Sequence, residues 1–391
     1  MLVSRRHFLF GSLALPALAA KKPAPERPNV LLILVDGLPS WVLGCYGNKE
    51  ILTPNLDKLA QTGTRFLNHI VSAPAPALSR ATLLTGRTPM QLGGAGNTPA
   101  GAASLDKVLG DAGYITQAAD IGAAGPFLDH QAAGKPFFLV AGYAGLQPPF
   151  EGIAQKYRDL YAKSQFDTLD LQRTPAANAR LGKEMLADTI GNVRKFAAAV
   201  SALDADIGAL LLKLSQRKLL DNTLLVFTST CGALLGRRGL WDAGEASDPV
   251  NMFEESVTTP LLWSWSGRVP AQGVRPELVS TYDFVPAICD LLAVPPPAGN
   301  LCGRSYALLA LGKRLPKKQP WRTTVYGHYQ TADLARGDRY KLVLHSGGTS
   351  ELYDLKQDPG EKSNQIDNQQ FLTVRTALSD GLAAWKQRFS A

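Results

Sequence analysis

Asn29-Val-Leu-Leu-Ile-Leu-Val35, followed at once by Asp36-Gly37, is the stretch whose reading decides the fold. After Asn29 it is an unbroken apolar run rich in branched side chains, which suits a strand buried on both faces of a sheet. It stops at Asp36-Gly37, where a parallel strand delivers side chains to the carboxyl edge, the edge at which open α/β folds bind ligands. Working outward, Thr53-Pro54 followed by Asn55-Leu-Asp-Lys-Leu-Ala60 predicts a helix with Thr53 as its cap and Pro54 at its first position. Similar units recur in Lys135-Pro-Phe-Phe-Leu-Val-Ala141, in a long amphipathic stretch from about Leu181 to Leu220, in Asn222 to Ser229, and near Pro260 to Trp265. Such alternation predicts a layered α/β domain with a mostly parallel sheet. From about Trp321 the texture changes to short alternating segments, Thr324-Val-Tyr-Gly-His328 and Tyr340-Lys-Leu-Val-Leu-His345. A turn at Asp358-Pro-Gly360 and a helix from about Phe371 to Phe389 follow. The expected organisation is an α/β domain over residues 29–320 and a small α+β subdomain over 321–391.

The composition agrees. The chain has 391 residues, 45% hydrophobic and 19% charged, with a formal net charge of +8. Those figures exclude disordered, collagenous and coiled-coil classes. The basic residues are dispersed apart from short clusters at Lys21-Lys22 and between Lys313 and Lys318, which argues against a nucleic-acid partner. Four cysteines without Cys-x-x-Cys spacing provide neither a disulfide scaffold nor a zinc motif. A Cys289 to Cys302 disulfide and two free thiols both remain open.

Residues 1–20 carry Arg5-Arg6, an apolar run of about eleven residues and a small-residue end at Ala17-Leu-Ala-Ala20. That run is too short to span ~30 Å of hydrocarbon, so it reads as an export signal and not as an anchor. The paired arginines followed by His7-Phe8-Leu9 resemble the bacterial twin-arginine signal. The expectation is a mature chain without a transmembrane anchor, working in the periplasm or outside the cell. Residues 21–28 form a Lys/Pro linker. Without the leader, 371 residues carry net +6, since the leader holds two of the 41 basic residues and none of the 33 acids.

Four stretches together raise one family. Arg27 to Gly37, with Gly44-Cys-Tyr-Gly-Asn48 and Thr53 to Ala60, resembles the opening of a sulfatase. Ser79-Arg80-Ala-Thr-Leu-Leu-Thr-Gly-Arg87 resembles that family's nucleophile helix. Gly239-Leu-Trp-Asp-Ala-Gly244, with Phe253-Glu-Glu-Ser256 and Pro260-Leu-Leu262, resembles the segment after its third metal-ligand motif. Glu351-Leu-Tyr-Asp-Leu355 with Asp358-Pro-Gly-Glu361 and Asn364 resembles its C-terminal signature. The resemblance runs from Arg27 to about Trp385 and implies the alkaline-phosphatase-like fold. It also implies a demanding chemistry: a Cys or Ser oxidised to formylglycine as nucleophile, and a calcium ion held by three aspartates and an Asn or Gln.

Set against that pattern, the site residues depart repeatedly. Pro76 stands at the formylglycine position and has no side-chain group to oxidise. Asp36 is the one retained metal ligand, with Gly37, Thr230 and Cys231 at the other three positions, and a hydroxyl and a thiol are poor calcium ligands. Asp120 to Ala123 replaces Gly-Lys-Trp-His, Leu146-Gln147 replaces Pro-His, Ala243 stands for a lysine, and Arg238 is at a nearby histidine position. Asp36 and Arg80 alone are unchanged, and the two are expected to form an ion pair. The expectation is therefore a degenerate member without a cofactor, calcium being expected only if the family's metal site is retained through some other carboxylate near Asp36; Asp120, Asp242 and Glu245 are the nearest. Ser79 is a candidate substitute nucleophile, but no histidine or lysine is identifiable as its base, and a capping or buried serine is the simpler reading. Cys231 reads as a buried small hydrophobe before a reactive thiol. His69, His130, His328 and His345 match no catalytic position. Arg80, Arg237 and Arg238 are the candidate binders of an anionic ligand. The partners left open are a sulfated or otherwise anionic saccharide and an active sulfatase; the alternative activity is a sulfuric-ester or phosphoester hydrolase with an atypical nucleophile and metal site. The stretch between Thr116 and Phe137 is short for the family, and it is where that family's catalytic lysine and histidine lie.

Overall fold

The computed structural model describes residues 27–94, 96, 103–131, 134–143 and 145–390. The predicted export signal over 1–20 and nearly all of the linker over 21–28 lie outside the described residues. Among the described residues eleven strands form two sheets. The first contains β1 (Asn29–Val35), β2 (Thr64–Ile70), β3 (Ile115–Asp120), β4 (Phe137–Tyr143), β5 (Thr223–Ser229), β6 (Thr258–Ser264) and β7 (Gly273–Ser280), in the order β3-β4-β1-β5-β6-β2-β7. All of its pairings are parallel except those of β6, which runs antiparallel to both β5 and β2. The second sheet contains β8 (Thr324–Tyr329), β9 (Ala332–Gly337), β10 (Tyr340–His345) and β11 (Glu351–Asp354), an antiparallel meander. The helix Leu372–Phe389 packs on it through Leu382 and Trp385. The architecture is mixed α/β with a mainly parallel central sheet and a C-terminal antiparallel sheet subdomain.

β1 is central because every one of its residues is buried. Its side chains alternate between two apolar layers. Leu31, Ile33 and Val35 meet the long helix Thr189–Gln216 on one face, and Val30, Leu32 and Leu34 meet the helix Phe284–Leu291 on the other. A strand so placed has no solvent face, which is why its sequence shows no polar alternation. The long helix covers less than the amphipathic stretch that announces it, because Asp188 caps it by accepting from the Gly191 amide. Among the described residues no helix is long and apolar enough to cross a membrane.

One local expectation is corrected and one open alternative is decided. Thr53 occupies the N-cap of α1 (Pro54–Gln61), but its hydroxyl turns away, accepting from the Gly44 amide at 3.0 Å. The cap is tertiary: buried Asp204 accepts from the Asn55 and Leu56 amides at 3.1 and 2.8 Å. Cys289 and Cys302 are free. They face different apolar clusters, Cys289 packing beneath the central sheet and Cys302 beside the terminal helix, so their separation of only thirteen positions brings no pairing.

Candidate active site

Three elements converge at the carboxyl edge of the central sheet. Asp36 follows directly on β1, Thr230 follows directly on β5, and β2 leads through residues 71–75 into α2 (Pro76–Thr85). The Thr230 amide donates to the Val35 carbonyl at 2.9 Å, continuing the β1 and β5 pairing to its last residue. Gly37 adopts a left-handed conformation, φ 71°, and a Cβ there would stand 3.2 Å from Gln147 Nε2, so the turn after Asp36 requires glycine.

On this edge Asp36, Gly37, Pro76, Arg80, Thr230 and Cys231 come together. Arg80 Nη2 donates to Asp36 Oδ1 at 3.0 Å and to Oδ2 at 3.1 Å. The Thr230 hydroxyl donates to Oδ1 at 2.7 Å. Asp36 and Arg80 are partly open, with 24% and 36% of their side chains exposed. They face a depression of about 490 Å³ whose walls include Pro76, Ala77, Leu84, Thr85 and Ser104. Pro76 is the first residue of α2, where a missing amide hydrogen costs nothing and the fixed φ suits a helix start. Cys231 is buried, and that burial, reinforced by Asp242, pushes its thiol up to about 12; it stays neutral at ordinary pH.

The other sequence candidates lie elsewhere. Ser79 is fully buried on the far side of α2, and its hydroxyl has no hydrogen-bond partner among the described residues. Arg237 and Arg238, expected to bind ligand with Arg80, are corrected: both are committed to protein partners. Arg237 lies 3.9 Å over the Trp41 ring and donates to the Leu169 carbonyl. Arg238 stacks on Phe253 at 4.0 Å and donates to Glu255, Glu361 and the Gly360 carbonyl. These contacts hold Arg238 at φ 60°, a conformation that a non-glycine residue keeps only when its surroundings over-determine it.

The carboxylates nearest in sequence do not join Asp36. Asp120 caps the Gly122 amide, Asp242 accepts from the Ala243 amide, and Glu245 accepts from the Tyr329 hydroxyl and Gln330. Among the described residues no group of three or more His, Cys, Asp or Glu side chains is placed to hold a metal ion. Calcium wants six to eight oxygens. Here the one carboxylate accepts from a guanidinium through both oxygens, and the hydroxyl beside it donates to that same carboxylate. This donor set does not fit calcium. The histidines have partners of their own: His69 is buried at 2.8 Å from the Thr259 hydroxyl and lowered by that burial to about 3, His130 donates to the Pro126 carbonyl, His328 meets Asp333, and His345 meets Glu351.

Sequence reasoning missed an ion network behind the site. Lys341 Nζ stands 3.1 Å from Glu254 Oε1 and 2.6 Å from Glu361 Oε1, and the side chains of Lys341 and Glu361 are 0% exposed. Arg336 joins Glu254 at 3.0 Å, Arg238 joins Glu361 at 3.2 Å, and Glu361 also accepts from the Glu254 amide at 2.8 Å. Burial alone would raise Glu254, but Lys341 and Arg336 overturn that and hold it down to about 2. Burial pushes Glu361, the second carboxylate on the same lysine, up to about 7. The available signal was a lysine interrupting the apolar run Tyr340 to Leu344.

Comparison with known proteins gives one answer. Residues 28–127 and 122–294 match the Sulfatase family, and residues 246–388 match the C-terminal region of N-sulphoglucosamine sulphohydrolase. The two Sulfatase segments overlap at residues 122–127. Human arylsulfatase A is 28% identical over 464 residues, covering 95% of this chain and 89% of its own. A protein solved in complex with its substrate D-glucosamine-2-N,6-O-disulfate superposes with a TM-score of 0.80 at 20% identity, covering 93% of this chain and 98% of that one. The phosphonate monoester hydrolase of Agrobacterium radiobacter superposes with a TM-score of 0.79 at 19% identity, covering 93% and 96%. With the family model matched over most of the chain and the fold matched along nearly its whole length, the chain belongs to the sulfatase family and has its alkaline-phosphatase-like fold.

Proposed function

We propose that this chain is an exported, catalytically degenerate sulfatase that retains the fold and binds an anionic, sulfated saccharide at the depression beside Arg80. The observation that carries the reading is Pro76 at the head of α2, where the family's chemistry requires an oxidisable Cys or Ser. A pyrrolidine ring supplies no oxygen nucleophile, and the buried Ser79 hydroxyl does not reach the depression. Arg80 keeps a third of its side chain open to the depression, so a sulfate oxygen has a guanidinium to meet. The structural neighbour holding a disulfated glucosamine supports this choice of ligand class. Export through residues 1–20 to the periplasm or beyond belongs to the same reading.

The test is turnover of an aryl sulfate and an aryl phosphate by the mature chain, run beside titration with a sulfated oligosaccharide. The expected outcome is no turnover above buffer, with saccharide binding that Arg80→Ala weakens. Turnover abolished by changing Asp36, Ser79 or Arg80 would overturn the reading in favour of a hydrolase with an atypical nucleophile. Absence of saccharide binding would replace the ligand with a protein partner, for which an active sulfatase is the first to try.

A further inference from the structure

We propose that Arg80 is the resident cation of this site: its guanidinium does by an internal ion pair what a bound metal ion does in the rest of the family, tying the ends of β1 and β5 to α2. The proposal rests on the reading of the site as degenerate and adds to it a structural replacement. Three observations carry it. One guanidinium nitrogen contacts both oxygens of Asp36, at 3.0 and 3.1 Å, so both oxygens of the one carboxylate at this edge are engaged by the protein's own cation. Thr230 donates its hydroxyl hydrogen to Asp36 at 2.7 Å, so its dipole presents the positive end to the centre of the site, the reverse of a metal ligand. The fourth ligand position is a buried cysteine, Cys231, whose sulfur is a poor partner for a hard cation.

The charges agree. Asp36 and Arg80 sum to zero, and a divalent ion entering between them would face one carboxylate and be repelled by the guanidinium a few ångströms away. It would also find far fewer free oxygens than the six to eight it seeks. The clasp joins residues far apart in sequence, 36, 80 and 230, which is the kind of connection a metal makes when it holds separate strand ends together.

Thermal melts of the mature chain in EDTA and in millimolar calcium chloride, with isothermal titration of calcium, test this. The expected result is no calcium-dependent shift in Tm and no binding heat, since anything that binds only the native state must raise its Tm. Arg80→Met is expected to lower Tm by about 1–2 °C, a modest fall because the pair is partly open to water. Asp36→Asn is expected to do the same, and the double variant to lose less than the two single losses together, because each single change strands one charge. A calcium-dependent rise in Tm that disappears in Asp36→Asn would falsify the proposal, and so would strictly additive losses. The two readings fail separately. Turnover without any calcium response sinks the non-catalytic reading and leaves the clasp; calcium binding without turnover does the reverse.

Discussion

Two ionic clusters tie this molecule together, and they are built in opposite ways. At the carboxyl edge of the central sheet, one carboxylate and one guanidinium stand about a quarter and a third open to water, supported by a single hydroxyl. Where the C-terminal sheet docks, Lys341 and Glu361 are sealed from solvent and share their charges with Glu254, Arg336 and Arg238 across four segments of chain. The contrast teaches that the edge of the central sheet is held by one water-accessible ion pair, while the joint that holds the two sheets together is dense and fully engaged. Water decides the energetics: an open pair is screened and contributes little, whereas a sealed network is costly to disturb because each remaining charge is left without solvent.

The largest expected effect follows. Lys341→Met keeps the volume of the stem but removes the cation that two buried carboxylates share, and it should cost about 3–5 kcal/mol by urea denaturation. A loss near 1 kcal/mol would collapse the distinction between the two clusters. The same network sets a pH signature with two limbs. Glu254 is held down to about 2, so its contribution is present above its unfolded value of 4.5 and is lost as pH falls from there through 2. Glu361 is pushed up to about 7, so its contribution is complete below 4.5 and is lost as pH rises from there through 7. Glu254→Gln should flatten the acid limb of the stability profile and Glu361→Gln the neutral limb; a profile unchanged by either shows that the carboxylates do not titrate there.

Arg238→Ala comes next, at about 2–3 kcal/mol, because it takes one of the two cations from Glu361 inside the joint. Arg80→Ala should cost about 1 kcal/mol, discounted for its exposure. If the order of these two were reversed, the edge site and not the joint would be the structural keystone.

Much of this was legible in the sequence for a physical reason. A strand buried on both faces must be continuously apolar, so Asn29 to Val35 announces both the parallel sheet and the position of Asp36. The partnership of Asp36 with Arg80 was expected from charge, and the two residues do pair. The opposite happened with Arg237 and Arg238: two adjacent arginines near a site look like ligand binders, and nothing local reveals that Trp41, Phe253 and Glu361 already engage them. Thr53 likewise has the residue type and the place of a cap, yet Asp204 of the long helix takes the role. β3, β7 and β9 are weakly patterned because Ile115–Asp120 and Gly273–Ser280 lie at sheet edges and Ala332–Gly337 holds Arg336 inside a joint. Contacts made between distant segments leave little trace in any one of them.

The smallest effect separates the two sides of α2. Ser79 and Arg80 are adjacent, yet one faces the core and the other the depression. Ser79 is 0% exposed with its hydroxyl unpaired among the described residues, so the folded state carries a polar group stripped of water without a compensating bond. Ser79→Ala removes that group, adds helix propensity, and leaves a cavity no larger than one oxygen. It should therefore be neutral or stabilise by up to about 1 kcal/mol, with saccharide binding unchanged. A nucleophile behaves otherwise: its loss abolishes turnover whatever it does to stability. Measuring the melting temperature and the aryl-ester rate of this one variant thus distinguishes a serine that completes the core from a serine that performs chemistry, and a destabilisation above about 1 kcal/mol would show that the hydroxyl has a bonding role that the folded core does not display.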